Sequence, residues 1–160
     1  MPPTLFIIGK SGAMMVLPGK ISDEGSKDQI AEMARFACTA FSASSCVLAM
    51  EAWMKMAKPG ETLDLTERPS EAFDREEVIV LSGEDRTQKR HQILRLIRSD
   101  NGNFFGLDDS TPPQMRMEGR FSGLLPENVP DAEAQELAQT MLKFNQAKVV
   151  RLGNGGRLRG

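Results

Sequence analysis

Between Cys46 and Arg98 apolar and polar positions alternate in three successive runs, CVLAMEAWMKM, REEVIVLSGEDR and KRHQILRLIR. In the first run Cys46, Leu48, Met50, Ala52, Met54 and Met56 are apolar at a period of two, while Val47, Ala49, Glu51, Trp53 and Lys55 are mixed. That period belongs to a strand, so one face is expected in the core and the other only partly covered. In the second run Ile79 and Leu81 share one face and Val78 and Val80 the other. A strand apolar on both faces is expected to lie centrally, buried on both sides. Ile93, Leu94, Leu96 and Ile97 of the third run fit a helical stripe as well as a strand. The turn residues from Ser82 to Arg86 before it and Asp100-Asn101-Gly102 after it favour a strand closed by a hairpin.

The flanking segments read as cover for this sheet. Thr4 to Ile8 and Ala13 to Leu17 are short apolar runs joined by Gly9-Lys10-Ser11-Gly12, the pattern of a β-hairpin. The letters Gly-Lys-Ser invite a phosphate-loop reading, but Thr4 stands where that motif needs its first glycine, and the next segment is β-like where the motif needs a helix. Ser26-Lys27-Asp28-Gln29 has the form of a capping box and predicts a helix to about Ser42. Ile30, Met33, Ala34, Ala37, Cys38 and Phe41 form its inner stripe, with Lys27, Glu32, Arg35 and Thr39 facing water. Residues 57–74 are a polar, proline-bearing loop, of a length that is often functional or mobile and equally that of a solvated surface loop. Asn103 to Leu107 predicts a short return strand, and Met115 to Leu125 either another edge strand or an ordered loop. A second helix is expected from Asp131 to about Asn145, with Ala134, Leu137, Ala138, Met141 and Leu142 buried.

The predicted fold is therefore α+β, an antiparallel sheet of about five strands in the order β-β-α-β-β-β followed by a C-terminal helix. That order resembles profilin-like sheets, including longin and roadblock modules, a likeness of topology that does not fix function. Residues 1–147 are expected to form one domain, and residues 148–160, with Lys148, Arg151, Arg157 and Arg159 and no acidic residue, a flexible basic Gly-rich tail.

Composition changes this picture in few places. A chain of 160 residues buries roughly 70% of its unfolded surface and needs no metal or disulfide staple. Lys+Arg 20 against Asp+Glu 22 gives a net charge of -2, so nothing global calls for nucleic acid or an anionic membrane. Ten Met, one Trp and no Tyr indicate an adaptable aliphatic core in which Met fills gaps. Cys38 and Cys46 sit in apolar surroundings without a CxxC or Cys/His cluster, and read as buried free thiols in a reducing compartment. The start, MPPTLFIIGK, lacks a basic region before its short apolar run, and no apolar stretch reaches the roughly 18 residues of a membrane span. A cytoplasmic location is the expectation, with no membrane partner.

Candidate chemistry gathers on the sheet. Glu51 and Trp53 project from the mixed face of the first long strand, and Arg75, Glu84, Asp85 and Arg86 lie at the ends of the second. Carboxylates and arginines gathered there would suit a charged small molecule or a partner, or else form cross-strand ion pairs and turn caps. Lys89, Arg90, Arg95 and Arg98 make a basic strip, which would serve nucleic acid only if they share one face. His91, the one histidine, has no nucleophile or acid at a recognisable spacing and reads as a surface strand residue. No motif implies a metal or a cofactor.

The EAW strand at Glu51-Ala52-Trp53, the junction PSEAFDREEV at 69–78, the strand end Glu84-Asp85-Arg86 and the later GRFSGLLPE resemble a recurring group of short uncharacterised proteins of bacteria and their phages. The resemblance covers roughly residues 46–125, supports the strand assignments and implies no mechanism. Three readings follow in order of preference. The first is a non-enzymatic module that binds another protein, self-association through a sheet edge or Met-rich surface included. The second is a ligand or nucleic-acid binder using the basic strip, and the third an enzyme with a carboxylate site near Glu51 and Glu84.

Overall fold

The computed structural model describes residues 1–55, 60, 62, 68–112 and 119–153. In chain order its elements are β1 (Thr4–Gly9), β2 (Gly12–Leu17), α1 (Glu24–Ala40), β3 (Ala43–Met54), β4 (Glu76–Asp85), β5 (Lys89–Arg98), β6 (Phe104–Asp109), α2 (Ala132–Phe144) and β7 (Lys148–Arg151). The strands form one sheet of seven in the order β6-β5-β4-β3-β1-β2-β7. Every neighbouring pair is antiparallel. The expected α+β class with an antiparallel sheet is present. The expected count of about five strands and the profilin-like order are not: after α1 the chain returns beside β1 as β3, and β4, β5 and β6 then meander outward.

Of the two strands beyond five, β6 is the short return strand expected at Asn103 to Leu107, and β7 was not expected. Its Lys148–Arg151 were expected to open a flexible tail, yet they pair with Leu17 to Met14 on the outer edge of β2, and the Leu152 N–H donates to the Ala13 carbonyl at 2.9 Å. A run of four residues with charges at both ends has no period to read; the open edge of β2 makes it a strand. Arg157 and Arg159 lie outside the described residues, as do Met56, Met115, Met117 and half of the loop at 57–74. Residues 119–125 form turns, the ordered loop of the two alternatives and not the edge strand.

The long helix begins earlier than its serine suggested. Asp23 is the N-cap, its carboxylate accepting the Ser26 N–H at 2.7 Å, while the Ser26 hydroxyl accepts the Asp23 N–H at 3.0 Å. Ser26 thus closes the capping box as its third helical residue, a position usually held by Glu or Gln. The buried stripe of Ile30, Met33, Ala34, Ala37 and Cys38 is as expected. Arg35 does not simply face water, because its guanidinium holds the Arg120 carbonyl at 2.8 Å. In α2 only Ala138 and Leu142 are buried, and Leu137 is exposed.

Both helices lie on one side of the sheet. Leu5, Ile7, Val16, Cys46, Leu48 and Met50 from one sheet face join α1 and α2 residues in a single core cluster. Met14, Met33 and Met50 are buried within the core, which is the gap-filling use of methionine. Val78, Val80 and Ile93 make a smaller cluster on the same face of β4 and β5. The alternation of strand side chains therefore sends Phe6, Ile8, Val47, Trp53, Ile79, Leu81, Leu94 and Leu96 to the other face, where neither helix reaches. The expectation for β4 holds for its position between other strands and not for burial on both sides.

Candidate functional site

The sheet register separates the predicted carboxylates. Cys46 pairs with Glu84 and Glu51 with Ile79, so Glu51 and Glu84 are about five strand residues apart, roughly 16 Å, and project from opposite faces. They do not converge as an acid/base pair. On the helix side, Glu84 is buried and accepts the Gly123 N–H at 3.1 Å and the Leu125 N–H at 2.5 Å, with the Cys46 thiol 3.9 Å away and Lys89 Nζ at 3.9 Å. Arg86 donates to the carbonyls of Pro126 and Ala43, the latter at 3.1 Å. These two side chains latch the 119–126 segment onto the sheet. Asp85 caps the β4–β5 turn, accepting from the Thr87 and Gln88 N–H groups at 2.7 and 2.9 Å. Those donors, first the Thr87 N–H, pull its pKa down to about 2.

The other end of β3 carries Glu51 and Trp53. Glu51 meets the amino group of Met1, and the Arg75 guanidinium lies 4.6 Å from the centroid of the Trp53 ring. Stacking of this kind holds an arginine over an aromatic face without quenching its charge. Thus the structure brings Trp53 and Arg75 together, leaves Glu51 nearby, and removes Glu84, Asp85 and Arg86 from the group.

The basic strip is divided as well. Lys89 and Arg95 point to the helix side, Arg90 and Arg98 to the open side. Arg95 bridges Glu76 at 3.3 Å and Asp108 at 2.8 Å, and Arg98 grips both oxygens of Glu77 at 2.7 and 2.8 Å. These carboxylates, Asp108 first for Arg95 and Glu77 for Arg98, raise both guanidinium pKa values, while Arg98 lowers that of Glu77. Arginines paired in this way on two faces do not form one phosphate-binding surface.

Of two further features, sequence reasoning pointed only to the second. The first is an open cavity of about 1200 Å³ between the helix side of β3–β5, the start of α1 and residues 119–122, lined in part by Met50, Ser82, His91 and Phe121. His91 pairs across strands with Ser82, and its Nδ1 is sealed from solvent without a hydrogen-bond partner among the described residues. Arg120 at its rim is committed to Glu24 and Asp28, each at 3.0 Å. The Cys38 and Cys46 thiols are buried and free, as expected; hydrogen bonding between them and burial push the Cys38 pKa up, which keeps it un-ionised. Among the described residues no cluster of His, Cys, Asp or Glu is placed to hold a metal ion.

The second feature is the helix-free face itself. Phe6 is 40% exposed, Ile8 58%, Val47 39%, Trp53 45% and Leu107 46%, although all five are strand residues. Partly exposed Met15, Leu81, Leu94 and Leu96 fill the space between them. The signal for it was present as the mixed set of β3 and the second apolar set of β4, which burial by the closing helix would also have explained. No described helix is long and apolar enough to cross a membrane. No family model matches the chain, nor does any curated protein or solved structure.

Proposed function

We propose that this chain is a non-enzymatic, cytoplasmic interaction module and that its working surface is the helix-free face of the sheet. One observation carries the reading: an apolar band crosses that face from β2 to β6 and no described element covers it. Monomeric proteins seldom expose a contiguous apolar patch beyond a few hundred Å², and larger ones mark interaction surfaces. The buried, unpaired thiols support the cytoplasmic part. The division and pairing of the basic strip weigh against a nucleic-acid surface.

A photo-reactive residue in place of Phe6 tests the reading in the living cell. A discrete cross-linked product is expected from position 6 and none from Glu32 on the exposed side of α1. If Phe6 and Val47 positions both give no product, the face is not an interface. A second reading, a small-molecule site in the cavity over β3–β5, is favoured by the orphaned Nδ1 of His91. Mass spectrometry of the extract released on denaturing the purified protein checks it: a co-purified small molecule that His91→Phe no longer carries is the expected sign.

A further inference from the structure

Resting on that reading, we infer that the occupant of the helix-free face is a second copy of this chain, packed sheet against sheet around a two-fold axis lying along the apolar band. The size of the face is the first support. Seven strands at about 4.8 Å spacing and roughly 20–25 Å of paired length present about 600–700 Å², close to the ~800 Å² per partner of a standard stable interface. A face this broad suits a second sheet about 10 Å away. The band runs obliquely, from Phe6 level with Val47 to Leu94 level with Glu51, so a two-fold axis along it sets the strands of the two sheets at a steep crossing, the orthogonal of the two ways in which sheets pack.

The distribution of charge is the second support. Cross-strand partners place Asp85 and Arg90 on one flank of the band and Lys148 and Glu51 on the other. A two-fold axis along the band lays each flank over the opposite flank of the partner, so that Arg90 of one copy approaches the Glu51 side of the other, and Asp85 the Lys148 side. A face that is complementary to itself under this operation is what an isologous dimer requires. Small side chains beside large ones, Ala49 and Gly83 next to Val47 and Phe6, give the ridges of one sheet room between those of the other.

The sheet edges offer less. The outer strand β6 is shifted by a bulge opposite Ile97 and Arg98 and ends in Asp108-Asp109, and β7 is four residues long with Lys148 and Arg151 at its ends. Bulges, short strands and charges are how edges avoid pairing with another chain.

Sedimentation equilibrium of the purified full chain at about 1–100 μM decides the matter. The wild type is expected at twice the 17.6 kDa chain mass. Val47→Lys, which puts a charge in the centre of the band, is expected at the monomer mass with its far-ultraviolet circular dichroism retained. Arg90→Glu is expected to weaken association at least tenfold, and adding Glu51→Lys to restore it at least partly. A wild type that stays monomeric throughout this range overturns the dimer. Should Phe6 then cross-link to a chain of different mass in the cell, the interaction reading survives without self-association; with no cross-link, both fail. A dimer that Val47→Lys leaves intact forms through another surface and equally overturns the inference.

Discussion

Glu84 and Asp85 are adjacent acids with separate tasks, and each is testable alone. Glu84 satisfies the backbone N–H groups of Gly123 and Leu125 from a buried position. Glu84→Ala leaves those donors unpaired, at a cost of about 2–4 kcal/mol. Urea unfolding should read that loss, and trypsin should cut faster after Arg120 as the 119–126 segment detaches. Asp85 is exposed and its effect is one of pH. Its pKa is lowered from 3.8 to about 2 by the turn N–H groups, so its contribution to stability is complete above pH 3.8, shrinks as pH falls, and is gone below about pH 2. Asp85→Asn should therefore be less stable than wild type at neutral pH, with the difference closing across that window in acid-unfolding curves. In the sequence both residues belonged to one candidate cluster. Spacing showed that they lie at a strand end, but strand alternation alone did not reveal that the Gly123 and Leu125 backbone would fold back onto one of them.

At the scale of elements, the legible parts are those whose signal is local. The hairpin of β1 and β2, the inner stripe of α1, the Asp131 cap of α2 and the Asn101-Gly102 turn follow from period and cap chemistry that need no distant partner. Gly9 shows the limit. In the sequence it is a turn glycine, yet it closes a bulged register between β1 and β3, where a Cβ would overlap the Phe41 carbonyl oxygen at the end of α1. The clash is with backbone, which cannot swing aside as a side chain can. Gly9→Ala is thus expected to lose about 1–3 kcal/mol in denaturant unfolding, whereas Gly106→Ala, with open space around the added methyl, should change little. The residue before the turn, not the turn itself, holds the helix end against the sheet.

For the whole molecule, the uneven covering of the sheet is the governing fact. Two helices stack on one side, and α2 packs chiefly on α1, its Gln139 reaching the Ala40 carbonyl at 3.3 Å. No described element covers the second side. Association with a partner that binds only the folded state raises the thermal midpoint with concentration. If the partner is a second copy, heating wild type over a hundredfold range of protein concentration should move the midpoint upward by several degrees, and the Val47→Lys variant should show no such shift. A concentration-independent midpoint for wild type would count against the dimer.

Local pattern alone determined that this chain alternates strands with two amphipathic helices, that its sheet is antiparallel, and that β3 and β4 each carry a second, partly apolar face. Those properties reside in neighbouring residues: period two, period 3.6, a cap, a turn glycine. Tertiary structure alone decided that β3 returns beside β1, that Lys148–Arg151 join the sheet, that Glu51 and Glu84 part to opposite faces, and that α2 chooses α1 over the open face. Each of these is a choice among partners distant in sequence. Such a choice is made by which edge is free and which surface remains to be buried, and a strand carries no mark of either until its neighbours are in place.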